Sequence, residues 1–284
     1  MAQKDLSEKN LEYYPDVFAD LINALLYNGK PVLAAADLQP APTETLYPGK
    51  PGFLRNQFQD ISKYEMKDST IKIQYTIENE TRATRKMILR KAGYEGALYR
   101  NQFEQGNTFP VISIVLYWGK SRWIYPRNIH RFFSQSRLPI EAYAYIDNTR
   151  LHVFEMAHLS LKYRKLLQSD MRIMADYLAE GKNYIPTDQK IQHLEALLLL
   201  FKAVTGDCRY EEILPILLRQ EKEEGEITMC ELLDKYENKG KTEGENRMAK
   251  LVQILLGEHR SADLLKASED AEFRAQLFQE FGLA

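Results

Sequence analysis

Four carboxylates, Asp16, Asp60, Glu78 and Glu80, have the chemistry needed to hold a hard cation. Glu78 and Glu80 end the run IKIQYTIENE, in which Ile71, Ile73, Tyr75 and Ile77 alternate with Lys72, Gln74, Thr76 and Glu78. That period of two predicts a strand with both acids on its polar side. A partner strand folding back through Lys67-Asp68-Ser69-Thr70, about the Asp68-Ser69 pair, places Asp60 opposite Glu78 to within one position. Facing residues of such a pair have Cβ atoms roughly 5 Å apart, where like charges repel. A divalent cation bound by oxygen ligands offsets that repulsion. Bound Mg²⁺ can also lower the pKa of an attacking water and stabilise the charge that develops on a phosphodiester during cleavage. The simpler alternative is a hairpin whose acids are spread into water.

These acids need elements to carry them. Tyr14 to Gly29 reads as a helix, with Val17, Phe18, Leu21, Ile22, Leu25 and Leu26 on one face, Pro15 near its start, and Asp16 and Asp20 one turn apart on the other face. Lys30 to Gly52 is rich in Pro, Ala and Gly and is expected to be a loop or irregular crossing. After Glu80 the spacing becomes helical, with Met87, Ile88, Ala92, Leu98 and Tyr99 as inward candidates and Arg82, Arg85, Arg90 and Arg100 outside. PVISIVLYW, from Pro110 to Trp118, reads as a strand buried on both faces, and LHVFEMA, from Leu151, as a further strand. The rest is helical: LKYRKLLQSDMRIMADYLAEG, DQKIQHLEALLLLFKAVTG, EEILPILLRQ, and a long amphipathic segment interrupted at Gly240 and Gly244 that reads as a helix pair or a flexible spacer. In the last stretch Phe273, Leu277 and Phe281 could pack on a partner. The expected organisation is an α/β domain over 1–159, a helical extension over 160–225 packed on it, and an acidic helical tail over 226–284 that serves oligomerisation or partner binding.

The formal net charge is only -2, but it is unevenly distributed. From Thr81 to Ile140 there are eleven bases against Glu95 and Glu104, a net of +9, whereas Glu211 to Glu245 carries eleven acids against five bases, a net of -6. A polyanion-binding middle and a separately organised acidic tail follow. YWGKSRWIYPRNIHRFF, from Tyr117 to Phe133, interleaves Lys120, Arg122, Arg127 and Arg131 with Trp118, Trp123, Tyr125, Phe132 and Phe133 and has no acid. Such a segment either holds nucleic acid by phosphate neutralisation and stacking or forms a rim of core aromatics beside solvated charges.

Other chemistries lack support. The five histidines and two cysteines form no zinc-like spacing, Ser113 and Ser121 lie in no nucleophile motif, and no phosphate-cradling glycine loop occurs. Two cysteines and no signal-like start suit a reducing cytoplasm, and no apolar run approaches the ~18 residues needed to cross a bilayer. A soluble, cytoplasmic protein without membrane contact is expected.

The order of these pieces resembles the PD-(D/E)xK nuclease superfamily, and more closely its Rpn family of recombination-promoting nucleases, also labelled transposases. The resemblance is carried by YYPDVFADLINALL around Asp16, QDISKY around Asp60, YTIENET around Glu78, LRKAGYEGALYRNQ, FPVISIVLYWG, SDMRIMADYL and TMCELLDKYENKG, in order over roughly the first 230 residues. It implies a nuclease-like α/β core with a central mixed sheet flanked by helices, followed by a helical C-terminal region. It also implies DNA as substrate, cut by hydrolysis with Mg²⁺ or Mn²⁺: Asp60 and Glu78 bind metal, Glu80 binds metal or assists the water, and Asp16 supports the site. Arg82, Arg85, Arg90, Lys120, Arg122 and Arg127 are the expected DNA contacts, with a homo-oligomer built through the C-terminal helices. Relatives carry Gln two residues after the glutamate, and the wider superfamily carries Lys; this chain has Glu80, which brings no positive charge to a scissile phosphate. Lys63, Lys72 or Arg82 could supply one. The departure leaves a second reading open, a catalytically weakened nuclease-fold protein that binds DNA or a protein.

Overall fold

A computed structural model describes residues 11–48, 54–58 and 60–283, with the backbone alone for 44–48 and 54–58. The part of the expected loop at 49–52, with Phe53 after it and Gln59 ahead of Asp60, lies outside the described residues.

Helix α1 (Pro15–Leu26) buries Val17, Phe18, Leu21, Ile22 and Leu25, with Pro15 at its first position. The segment read as a loop instead contributes β1 (Leu38–Pro40) and β2 (Glu44–Pro48), because strands this short are too brief to show an alternation. β2 pairs with β3 (Leu54–Phe58) in a separate two-stranded sheet. The expected hairpin is β4 (Ile61–Lys67) and β5 (Thr70–Glu80), antiparallel about Asp68 and Ser69, whose φ values of 49° and 59° are the left-handed pair that a two-residue turn between right-twisted strands requires.

Helix α2 (Met87–Gln105) follows, then β6 (Val111–Tyr117), a one-turn α3 (Ile129–Phe132) and β7 (His152–Glu155). The main sheet runs β1-β4-β5-β6-β7, antiparallel through β5 and parallel from β5 to β7. The chain is therefore α/β, with a mixed five-stranded sheet. β6 is hydrogen-bonded on both sides and its last five residues are buried, which accounts for a sequence apolar at every position but Ser113. One sheet face carries Tyr75, Ile77, Ile114 and Leu116; the other carries Val115, Tyr117 and Val153, which pack with Met87 and Ile88 of α2.

The stretch read as one helix from Leu161 is two, α4 (Leu161–Leu166) and α5 (Met171–Glu180). The break is made by Asp20, whose carboxylate accepts the Gln168 N–H at 3.0 Å, the Ser169 N–H at 2.9 Å and the Ser169 hydroxyl at 2.6 Å. These donors would otherwise belong to a continuing helix, so Asp20→Ala is expected to cost about 1 to 2 kcal/mol in chemical denaturation, the size of a lost helix cap. Helix α6 (Leu194–Thr205) completes the first of two compact units, which comprises residues 1–185 and 192–205.

The second unit comprises residues 186–191 and 206–284, so the division falls at Thr205/Gly206 where the sequence suggested 225/226. In it, backbone bonds from Ile191 N–H to Ile227 O and from Met229 N–H to Gln189 O tie its two segments together. Its helices are α7 (Arg209–Glu224), α8 (Met229–Gly257), α9 (Ser261–Glu269) and α10 (Ala271–Glu280). The segment expected to break at Gly240 and Gly244 is the single 29-residue α8, started by a Thr228/Glu231 capping box. Phe273, Leu277 and Phe281, read as a partner surface, pack with Leu251, Leu255 and Ala267 of the same unit. Among the described residues no helix is long and apolar enough to cross a membrane.

Candidate metal and nucleic-acid site

The β4/β5 register pairs Ile61 with Ile77, and one step further Asp60 lies across from Glu78. Asp60 is half-buried and its Oδ2 accepts the Asn79 N–H at 2.7 Å, which fixes the carboxylate against the end of β5. Glu78 is 2% exposed, and Glu80 shares its face two residues on, beside Tyr117 of β6. Asp60, Glu78 and Glu80 are thus brought to one end of the antiparallel pair.

A cation that reaches this cluster is Arg90, from the first turn of α2. Its Nη1 donates to Glu80 Oε1 at 2.5 Å, while its Nη2 is 3.7 Å from Glu78 Oε2, so Glu80 is the hydrogen-bonded partner and Glu78 a looser ionic one. Nε and Nη2 also donate to the Tyr94 hydroxyl at 3.3 and 3.2 Å. Burial opposes the Arg90 charge, but the Tyr94 bond and the Glu80 and Glu78 carboxylates outweigh it and raise its pKa. Burial also raises the Tyr94 phenol, with Glu78 and Asp60 adding to the rise and Arg90 opposing it, so Tyr94 lies in the field of both acids. Among the described residues no three acids, histidines or cysteines are already gathered as a metal-binding group.

Asp16 does not join this cluster through any described contact. Its Oδ2 bonds His193 Nε2 at 2.8 Å, and the imidazole stacks on Tyr14 with centroids 3.7 Å apart. The acid ahead of α1 that reaches β5 is Glu12, wholly buried, which accepts Asn79 Nδ2 at 2.7 Å. Asn79 Oδ1 in turn accepts Trp118 Nε1 at 2.7 Å. This Glu12–Asn79–Trp118 chain lies on the sheet face opposite Glu78. The cation sources considered from sequence also resolve. Lys63 is buried on the Asn79 face, donates to the Tyr13 carbonyl at 2.7 Å and has its pKa lowered by burial. Lys72 lies near the far end of β5, six residues or ~20 Å from Glu78.

The expected DNA contacts divide in the same way. Arg82, Lys120 and Arg122, with Thr81, Ser121 and Tyr125, line a cleft of about 560 Å³ at the carboxyl ends of β5 and β6. Thr81 directly follows Glu80, and Trp118 N–H donates to Glu80 O at 2.9 Å, so the cleft adjoins the acids. Gly119 keeps this corner open, since a Cβ there would lie 2.1 Å from the Tyr117 hydroxyl. Arg122 and Arg127 share Glu155 at 3.6 and 2.7 Å, whereas neither Arg82 nor Lys120 is paired with an acid among the described residues. Arg85 is spent on the Phe132 carbonyl and ring, Arg127 on Glu155 and the Val153 carbonyl, and Arg90 on the acids. Of the aromatic residues, Trp118 and Trp123 are buried, Phe132 and Phe133 are half-buried against the Met87–Val115 core, and Tyr125 packs on that core while also lining the cleft.

Sequence reading missed Glu12, Asn79 and Tyr94. The available signal was Arg90 and Tyr94 four apart on one helix face; nothing in the spacing selects Glu12 over Asp16. Compared with protein-family models, curated proteins and solved structures, the chain matches none.

Proposed function

We propose that the protein is a metal-dependent DNA endonuclease of the PD-(D/E)xK type, related to the recombination-promoting nucleases. The observation that carries this reading is the meeting of Asp60, Glu78 and Glu80 at the end of β5 beside a cleft lined by Arg82, Lys120 and Arg122. Hard oxygen donors of this kind suit Mg²⁺ or Mn²⁺, and Asp60, Glu78 and Glu80 would hold the ion, which supplies Lewis acidity at the phosphodiester and a more acidic attacking water. The chain's own residues do the rest. The Asn79 N–H orients Asp60, Arg82 and Lys120 bind flanking phosphates, and Glu80 accepts the proton of the water. Arg90 brings to this end of β5 the positive charge that Glu80 lacks.

Supercoiled plasmid with Mg²⁺ or Mn²⁺ tests the reading. Nicking is expected in the native protein and is expected to fall at least about 100-fold in both Asp60→Ala and Glu78→Ala, each checked for folding by circular dichroism. A native protein that never cuts but retards DNA in a salt-dependent manner is instead the binding module to which the Glu80 departure points.

A further inference from the structure

Gly240 stands in the middle of α8, where glycine is the least favourable helix residue after proline. Its neighbour gives the reason. A Cβ at this position would lie 2.5 Å from Arg209 Nη1, so the bare backbone admits that guanidinium against the helix.

Arg209 is held on its other sides. Asp207 accepts from Nε at 3.0 Å and from Nη2 at 2.5 Å, the Tyr236 hydroxyl accepts from Nη2 at 2.5 Å, and the guanidinium lies 4.2 Å from the Tyr236 ring centroid. Tyr236 is itself stacked on Tyr210 at 4.5 Å. Asp207 is drawn well below the usual carboxylate range by the Arg209 bonds. These contacts use one edge and one face of the guanidinium. Nη1 donates to no group among the described residues and faces a cleft of about 570 Å³ lined also by Gly240, Glu243, Asn246, Arg247 and Lys250.

Residues 240, 243, 247 and 250 fall on one helix face by their three- and four-residue spacing. In a segment otherwise dominated by acids, three bases therefore converge on one hollow with an amide at its rim. Its acid, Glu243, lies 3.8 Å from Lys239, whose closer partner is Glu212 at 2.8 Å, and it adds to the carboxylate field that keeps Arg209 charged. A fixed guanidinium edge, the Arg247 guanidinium lying 5.7 Å from the Phe278 ring centroid, the Lys250 ammonium and an amide donor suit the oxygens of a phosphate group.

We propose that this cleft of the C-terminal unit is a phosphate-binding site in which Arg209 Nη1, Asn246, Arg247 and Lys250 hold the oxygens and Gly240 makes the space. It is distinct from the cleft at Lys120 and does not rest on the nuclease reading. The phosphate comes either from a small phosphorylated molecule or from a polynucleotide backbone.

Calorimetric titration of the full chain in phosphate-free buffer tests it, first with inorganic phosphate and then with an unphosphorylated 12-nucleotide DNA single strand. The native protein is expected to bind phosphate in the millimolar range. The exposed pair Arg247→Gln/Lys250→Gln is expected to weaken this at least tenfold, and Lys72→Gln, an exposed lysine in neither cleft, to leave it unchanged. Gly240→Ala should keep or raise helix content by circular dichroism while weakening phosphate binding, which a packing role for Arg209 alone would not produce. A matching loss of oligonucleotide affinity in Arg247→Gln/Lys250→Gln assigns the backbone as source; a loss for inorganic phosphate alone assigns a small molecule. Phosphate binding that is undetectable, or equal in native protein and Arg247→Gln/Lys250→Gln, overturns the proposal.

Discussion

Replacing Arg90 by Met is expected to destabilise the protein by about 2 kcal/mol in the absence of divalent ions and to make its stability depend on them. Truncating one partner of a fully buried ion pair costs ~3 to 5 kcal/mol, because a charge is left in low dielectric. Here Glu78 and Glu80 have side chains only 3% and 13% exposed, but that of Arg90 is 44% exposed, so water screens part of the loss. At a few degrees per kcal/mol for a chain of this size, the melting temperature should fall by about 5 °C. Mn²⁺ or Mg²⁺ at millimolar concentration should return most of that to Arg90→Met while shifting the native protein less, since an ion that binds the folded state stabilises it by mass action and Arg90 no longer competes for Glu78 and Glu80. Thermal unfolding of both proteins with and without Mn²⁺ checks this. Equal stability without metal would mean that the acids' other contacts suffice without Arg90. A metal response no larger than that of the native protein would mean that Arg90 does not occupy the ion's ligands. On the proposed nuclease reading, nicking by Arg90→Met at saturating Mn²⁺ should remain about 100-fold slow, because that reading draws on the Arg90 charge at this end of β5.

What the sequence makes legible is periodic, and what it hides is relational. The β4/β5 hairpin could be read because alternation and the Asp68-Ser69 turn act locally, and the pairing of Asp60 with Glu78 follows from register alone. β6 could be read because burial on both faces demands a nearly continuous apolar run, broken here only by Ser113. The split between α4 and α5 could not, since its cause is Asp20, 148 residues away in the chain. Nor could the use of Asp16 and Glu12 be separated. Both are acids on one helical segment, and only the packed positions of His193 and Asn79 decide which of them reaches β5. Basic composition was equally ambiguous. Arg85, Arg90 and Arg127 count toward the same net charge as Arg82 and Lys120, yet the first three bind the protein's own carbonyls and carboxylates. At Gly240 the local signal for a helix break did not hold: α8 runs straight through it, and a Cβ there would lie 2.5 Å from Arg209 Nη1.

Asn79 offers the clearest separation of scaffold from chemistry, because it lies between two acids with opposite uses. Its backbone N–H serves Asp60, while its side chain joins Glu12 to Trp118 in the buried layer behind β5. Asn79→Ala leaves the backbone bond in place but takes a donor from the wholly buried Glu12 and an acceptor from the Trp118 indole. Each such loss in a buried setting costs ~1 to 3 kcal/mol, more where a charge is involved, so the expected destabilisation is about 3 to 4 kcal/mol, or a fall of roughly 10 °C in melting temperature. Glu12→Gln keeps an amide oxygen in reach of Asn79 Nδ2 and carries no charge into the core; its cost should stay near 1 kcal/mol. In the double variant the two losses should fall short of additive by about 1 kcal/mol, since the charge that made the missing donor expensive is gone. Urea denaturation of the four proteins measures this, and an Asn79→Ala cost below 1 kcal/mol would show that the chain of bonds does not hold α1 to β5. Because Asp60, Glu78, Glu80 and Arg90 are untouched, folded Asn79→Ala should keep the native response to Mn²⁺, whereas Asp60→Ala should lose that response and cost about 1 to 2 kcal/mol, because the Asn79 N–H loses its acceptor.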